Sequence, residues 1–362
     1  MRRLILILFA TLLVLPVTLA VAETPQEIAA AIDADLRAAE ATGFGGAVIV
    51  RRGGETLLRR GYGFADREAR AAFTPETVAQ IGSITKTFTG LAAARLIAEG
   101  RIDSEATVGT YLPDAPEPGR SLVINDVLTH HSGLVDSCGD DFERLSTERL
   151  VAHCLAQPLA HPRGENHYSN LGYSTMARIV EAVSGQSWEA YLAEHVWGPL
   201  EMHTTGFAST APNGHSFAHG YLDDAEQEVI SARIAALGGE DWNLRGNGGM
   251  QASSDDMMRF LVALTGDDPA ISPEARAIML APHGPREEAV AEGYGLFLRY
   301  DEAGALFRAG HAGSDGVFMS YIAWFPQSGT LVYFVGNNGE GPVREALVKV
   351  LRHAERMPPA GT

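Results

Sequence analysis

The stretch Ile81-Gly82-Ser83-Ile84-Thr85-Lys86-Thr87 decides how this chain is read. Only two of its 28 basic residues are lysines, Lys86 and Lys349; all the others are arginines. An arginine guanidinium keeps its proton at any working pH, whereas a lysine amine is driven neutral by burial and nearby positive charge. Lysine three residues after a serine, in a chain that otherwise uses arginine, points to a site that needs a deprotonable amine. Phe88, Leu91, Ala92, Leu96 and Ala98 continue at helical spacing to Gly100, so 83–99 reads as a helix opened by Ser83. Residues i and i+3 share a helix face, with Cβ atoms about 5–6 Å apart, which brings the Lys86 amine within reach of the Ser83 hydroxyl. To act as a base near neutrality this amine must titrate well below the ordinary lysine value of about 10.4. A helix N-terminus supplies positive potential for that shift and offers the Ser83 N–H to a developing oxyanion. Taken alone, Ser83 is an ordinary helix N-cap and Lys86 a solvated charge.

Two further segments bear on the same chemistry. His167-Tyr168-Ser169-Asn170-Leu171-Gly172-Tyr173 places Tyr168 and Asn170 just ahead of an amphipathic helix expected from Leu171 to Val183 and closed by Ser184-Gly185. Gly310-His311-Ala312-Gly313-Ser314-Asp315-Gly316 reads as a polar, glycine-rich turn before a strand. Each has a plainer reading: Tyr168 as a core aromatic with a satisfied hydroxyl, His311 as a turn hydrogen-bonder, and His130-His131 as loop structure.

Around these segments the apolar rhythm changes twice. Residues 25–41 have helical spacing behind Thr24-Pro25 and end at Gly43. Gly46 to Val50 and Thr56 to Leu58 read as a hairpin turning at Gly53-Gly54, continued by a short strand that ends at Gly61-Tyr62-Gly63. Residues 103–205 read as mostly helical, broken by Pro/Gly loops. Tyr294 to Tyr300, Leu306 to Ala309, Val317 to Phe325 and Thr330 to Val335 then read as strands, and 343–354 as a helix. This order predicts an α+β fold. An antiparallel sheet built from both ends of the chain is flanked by terminal helices, with an inserted, mostly helical region. The sheet lobe is expected over about 25–80 and 210–355, the helical lobe over about 83–205. There is no internal repeat and no low-complexity linker.

With these motifs in order, the chain resembles the serine β-lactamase and penicillin-binding-protein superfamily. It looks closest to the class C-like branch, which also holds D-Ala-D-Ala carboxypeptidases, D-aminopeptidases and carboxylesterases. Ser83-Ile84-Thr85-Lys86 matches Ser-x-x-Lys, Tyr168-Ser169-Asn170 matches Tyr-x-Asn, and His311-Ala312-Gly313 matches the Lys/His-Thr/Ser-Gly triplet. Leu128-Thr129-His130-His131-Ser132-Gly133-Leu134 and Gly248-Gly249-Met250-Gln251-Ala252-Ser253 are also family-like, and the resemblance runs from about 25 to 355. It implies a β-lactamase/transpeptidase-like fold and no cofactor. It implies Ser83 as nucleophile, with Lys86 and Tyr168 sharing base and acid duties and Tyr168 activating the deacylating water. Asn170 would bind the substrate amide or orient Lys86, and the N–H groups of Ser83 and Ser314 would form an oxyanion hole. His311 and Gly313 would line the far wall, with His311 facing a substrate carboxylate. The triplet departs from the family in carrying Ala312 where a Thr or Ser hydroxyl would bind a carboxylate, and histidine is mostly neutral at pH 7. That departure favours an esterase or a less discriminating peptidase over a strong β-lactamase.

The remaining features bound the setting. Met1-Arg2-Arg3, the apolar run Leu4 to Leu15 and Ala20-Val21-Ala22 read as an export signal cleaved near Ala22, leaving 23–362 periplasmic or secreted. The competing reading is a retained anchor, because Leu4 to Ala22 is nearly long enough to span a bilayer. Losing Arg2 and Arg3 takes the formal charge from −17 to −19, a surface that repels nucleic acid and anionic membrane. Cys138 and Cys154, the only cysteines, are a candidate disulfide in an oxidising compartment, against the alternative of two separate buried thiols. His215 and His219 are spaced like a metal pair, but Ser216 stands where the needed Glu would be, so no metal site is expected. The absence of a Gly-x-Ser-x-Gly elbow argues against an α/β-hydrolase. The partner expected is therefore a small-molecule or peptide substrate, with cell wall as a further candidate. The rival class is a non-catalytic cell-wall or penicillin binder of the same fold.

Overall fold

The two ends of the chain meet in one sheet. In this computed structural model, which describes residues 23–207, 216–228, 230–287 and 289–361, the hairpin Gly46–Arg52 and Glu55–Tyr62 pairs through its first strand with Thr330–Gly336. The expected export signal at 1–22 and His215 lie outside the described residues. The eight strands run in the order His283–Glu287, Val290–Gly293, Leu296–Tyr300, Leu306–Ser314, Met319–Phe325, Thr330–Gly336, Gly46–Arg52, Glu55–Tyr62. Every neighbouring pair is antiparallel, with Val48 opposite Phe334 and Val50 opposite Val332. Gly53 and Gly54, at φ +55° and +88°, make the tight turn that matches the twist of the hairpin.

Alternation along the first strand builds two cores. Val48 and Val50 pack with Ile28, Ile32 and Leu36 of the helix Pro25–Glu40 and with Val343, Leu347 and Val350 of the helix Glu340–Ala354. Ala47 and Ile49 face the other way, into the larger core with Tyr333, Val335 and the helical region. Thr330–Gly336 is buried at all seven positions because both of its faces are covered, hence its unbroken apolar sequence. The first helix starts with a capping box: the Thr24 hydroxyl accepts from the Glu27 N–H, and the Glu27 carboxylate accepts from the Thr24 N–H. The architecture is thus the α+β sheet with terminal helices that the element order predicts.

The helix Thr85–Ala98 runs through the larger core, buried at every position from Thr85 to Ala94 and at Leu96. It packs against the helices Asn170–Ser184 and Pro273–Leu280. Its start is fixed by a three-stranded sheet in which Met250–Ser253 lies between Val78–Gln80 and Gly206–Phe207. Among the described residues no helix is long and apolar enough to cross a membrane.

Three local expectations differ from the structure. Residues 129–169 are largely irregular, apart from a helical stretch at 147–154, because backbone groups there bond across loops instead of to the next turn. The helices Ser254–Thr265 and Pro273–Leu280 fall inside what the sequence marks as sheet lobe. His311, Ala312, Gly313 and Ser314 lie within the strand Leu306–Ser314 and not in a turn; the turn follows at 315–318. Gly310 and Gly313 serve close approach there: a Cβ on Gly310 would stand 2.3 Å from the Ile322 carbonyl oxygen, and one on Gly313 1.9 Å from that of Ile81.

Candidate active site

A single 3₁₀ turn, Gly82–Ile84, carries Ser83 into the helix Thr85–Ala98. Gly82 takes φ +51°, and a Cβ there would come within 2.6 Å of the Ser314 backbone nitrogen. The serine turn and the strand end at Ser314 are therefore pressed together, backbone to backbone. Ser83 is half-buried, and the Thr85 hydroxyl ties the turn down by donating to the Gly82 carbonyl at 2.7 Å.

Lys86 is fully buried, and its ammonium has three partners. Nζ donates to Asn170 Oδ1 at 2.6 Å, to the Asn247 carbonyl at 2.7 Å and to Ser83 Oγ at 3.2 Å. The first two groups can only accept, whereas the third also owns a proton. When Lys86 loses a proton, its two remaining N–H bonds stay on Asn170 and Asn247, and the lone pair faces the Ser83 hydroxyl. Burial lowers the Lys86 pKa to about 7, despite the opposing pull of the Asp136 and Asp141 carboxylates.

The helix Asn170–Ser184 supplies the second wall. Ser169 is its N-cap, accepting from the Gly172 N–H at 3.0 Å, and leaves Tyr168 and Asn170 on either side of the cap. The Tyr168 hydroxyl lies close to Ser83, and burial of that end of the side chain holds its pKa well above 10. The Tyr168 ring centroid lies 4.7 Å from Lys86 Nζ and 4.4 Å from that of the His130 ring. His130 is itself fixed: its Nδ1 accepts from the Ser169 N–H at 3.1 Å, which leaves the proton of the neutral ring on Nε2. Burial, reinforced by the Lys86 charge, keeps it uncharged. The Asn170 amide is oriented by Asp136, whose Oδ1 accepts from Asn170 Nδ2 at 3.0 Å.

The strand Leu306–Ser314 supplies the third wall. His311 is buried and donates from Nδ1 to the Ala312 carbonyl at 2.6 Å. Burial, with the Lys86 charge adding, lowers its pKa to about 3, so it presents no positive charge at neutral pH. Ala312 is exposed and carries no hydroxyl. Gly313 and Ser314 sit against Ile81 and Gly82, and the Ser314 hydroxyl donates to Glu340.

Ser83 opens into a cleft of about 440 Å³ whose walls include Gln80, Asn170, Asp141, Phe142, Ser314 and Asp315. The loop carrying Asp136, Asp141 and Phe142 is tethered by a disulfide between Cys138 and Cys154, whose Cα atoms are 5.6 Å apart. The structure thus gathers Ser83, Lys86, Tyr168 and Asn170 at one point, with Gly313 and Ser314 alongside and His311 beneath. Three contributors have no signal in the motif pattern. Asp136 is one acid among many on an acidic chain. His130 looks like loop filler until its ring is seen against Tyr168. The Asn247 carbonyl is delivered by Gly246-Asn247-Gly248-Gly249, where a Cβ on Gly246 would meet the Ala177 Cβ at 2.4 Å. That glycine cluster was the available clue.

The chain is similar to several known proteins. Esterase EstB of Burkholderia gladioli is 29% identical over 273 residues, 64% of this chain and 68% of its own length. A D-aminopeptidase of Brucella canis is 30% identical over 332 residues, 88% of this chain and 61% of its own length. For two other curated relatives the match spans about half of their length, 55% and 43%. The crystal structure of a penicillin binding protein from Bacillus halodurans superposes with a TM-score of 0.74 at 24% identity, over 90% of this chain and 99% of that one, and so shows the same fold. A family model described as Beta-lactamase matches residues 32–355, and the chain belongs to that family, within the serine β-lactamase and penicillin-binding-protein superfamily.

Proposed function

We propose that the chain is an exported serine acyl-hydrolase that cleaves ester or amide bonds through an acyl-enzyme on Ser83. The observation that carries this reading is the Lys86 amine, held by two pure acceptors so that its third direction faces the Ser83 hydroxyl at 3.2 Å. With a pKa near 7, Lys86 is substantially neutral at physiological pH and takes the serine proton as Ser83 Oγ attacks the carbonyl carbon. The N–H groups of Ser83 and Ser314 receive the oxyanion, a contribution of about 3 kcal/mol per donor in comparable hydrolases. As the bond to the leaving group breaks, the protonated Tyr168 hydroxyl gives its proton to the departing oxygen or nitrogen and is reprotonated from Lys86. Water then loses a proton to the same pair, attacks the acyl carbon and releases the acid and Ser83.

The names of EstB and of the D-aminopeptidase support esterase or aminopeptidase chemistry. With His311 neutral and Ala312 lacking a hydroxyl, this wall offers no clamp for a carboxylate, which favours esters and amides over β-lactams. The Ala20-Val21-Ala22 site and the disulfide support a periplasmic or secreted setting.

A fluorescent phosphonate incubated with the purified protein tests the nucleophile, read as a mass increase mapped to Ser83. Equal labelling of wild type and Ser83→Ala, with equal rates on p-nitrophenyl esters and nitrocefin, overturns the proposal. Retention on peptidoglycan with no turnover would favour the non-catalytic binder.

A further inference from the structure

Five residues other than glycine have positive φ among the described residues, and one of them stands apart. Arg70, Glu201, Asp223 and Asp224 are exposed, whereas His130, at φ +62°, is buried. A left-handed backbone crowds any Cβ, and such a residue persists where its surroundings fix it. His130 follows the short helix Ile124–Leu128, and the next N–H, that of His131, returns to the Asp126 carbonyl at 2.8 Å. Glycine is the usual residue at the place of His130 in this helix ending. Closing the helix therefore does not call for a histidine, and its side chain has another use.

The contacts of His130 converge on Tyr168. Its carbonyl accepts from the His167 N–H at 2.8 Å, and its Nδ1 accepts from the Ser169 N–H at 3.1 Å. One residue thus holds the backbone on both sides of Tyr168, and its ring centroid lies 4.4 Å from that of the Tyr168 ring. Burial, with the Lys86 charge adding, keeps the His130 ring uncharged, so Nδ1 stays an acceptor. Resting on the acid role proposed for Tyr168, we infer that His130 is its positioning residue, fixing the Tyr168 backbone and ring so that the hydroxyl meets the departing atom. His130 itself touches neither Ser83 nor the leaving group in this role. It acts through the tyrosine alone, and its removal should be felt only where the reaction needs the tyrosine proton.

Two esters with one acyl group test this in the full chain. Ethyl butyrate and p-nitrophenyl butyrate form the same acyl-enzyme, but departing ethoxide needs a proton and p-nitrophenolate does not. His130→Gly suits the left-handed turn and keeps the carbonyl, while losing the ring and its Nδ1. It is expected to lower kcat/KM for the ethyl ester by about tenfold to a hundredfold, and for the p-nitrophenyl ester by no more than about threefold. His130→Asn tolerates the same turn and offers a side-chain oxygen to the Ser169 N–H, so it should recover part of the loss on the ethyl ester. It also supplies the reading should His130→Gly fail to fold, because its amide does not replace the ring against Tyr168 and a smaller loss confined to the ethyl ester remains. In a Tyr168→Phe background, His130→Gly should cost nothing further on either ester. Equal losses on the two esters, no loss on either, or an undiminished loss in the Tyr168→Phe background overturns the inference while leaving the hydrolase intact. Wild type that turns over neither ester and takes no label on Ser83 overturns both.

Discussion

Asp136 Oδ1 accepts from both the backbone N–H and the side-chain amide of Asn170, at 3.3 and 3.0 Å. One carboxylate oxygen therefore sets the start of the helix Asn170–Ser184 and the rotation of the amide that holds Lys86. Turned the other way, Asn170 would aim an NH₂ at an ammonium. The Asp136 charge also acts on Lys86 directly, raising its pKa against the larger effect of burial.

Asp136→Ala is accordingly expected to lower kcat by about tenfold to a hundredfold through misplacement of the base. It should also move the acid limb of the pH profile to lower pH, because the negative charge that favours the protonated amine is gone. Asp136 is exposed, so the stability cost should be small, about 1 kcal/mol at the helix N-terminus. The pH profile separates this positioning role from a merely structural one: a loss of rate with the limb unmoved contradicts it.

The acid limb itself should have a single source. With Lys86 near 7, kcat/KM for an ester is expected to rise with pH through about 7. His130 and His311 are both held well below the usual histidine range, and Tyr168 well above 10, so none of them titrates there. The limb should persist in His311→Asn at whatever rate remains, and Lys86→Arg should lose about 10²–10⁴-fold in kcat. Stability carries the same signature. Lys86 in the unfolded chain titrates near its model value of 10.5, so between pH 7 and 10 the unfolded state holds the extra proton. Wild type should thus gain stability relative to Lys86→Met as pH rises through that window, by up to about 5 kcal/mol. Denaturant melts at pH 6, 8 and 10 measure it; a flat difference contradicts a buried neutral amine.

The sheet and the central helix were legible because their signals are local. Alternation at 46–50, the Gly53-Gly54 turn and the apolar run at 330–335 need only neighbours along the chain. Ser83 and Lys86 were legible for the same reason, one helical turn apart. The strand at 306–314 was misjudged because Gly310 and Gly313 look like turn residues, and only the packed partners Ile322 and Ile81 explain them. Asp136 and His130 were invisible as functional residues because their meaning lies in contacts spanning 34 and 39 positions.

Gly313→Ala tests that close approach. The added methyl would collide with the Ile81 carbonyl at 1.9 Å and the Ser320 hydroxyl at 2.8 Å, both on elements that hold the serine turn. The strand must back away from Gly82, taking the Ser314 N–H with it. A drop of about 10²–10³ in kcat is expected, with thermal stability reduced by about 1–3 kcal/mol. Burst kinetics should show slower acylation of Ser83. An unchanged burst would mean that Ser314 does not face the oxyanion.

Cys138 and Cys154, 16 positions apart, close a loop that holds Asp140 and Asp141 and begins two residues after Asp136. The cross-link restricts the unfolded chain by about 3 kcal/mol for a loop of this size. In the folded state it also ties the irregular segment bearing Asp136 to the helical stretch Leu150–Cys154. Cys138→Ser should therefore lower Tm and, at temperatures where the protein stays folded, lower kcat in the direction of Asp136→Ala. Treating wild type with reductant should reproduce both effects, and reoxidation should reverse them. The decisive comparison is the double variant Cys138→Ser with Asp136→Ala. If the disulfide acts on activity through Asp136, its removal costs nothing further in kcat once Asp136 is gone, while the loss of Tm remains. Additive losses in kcat would place its influence within the loop itself and not on Asp136.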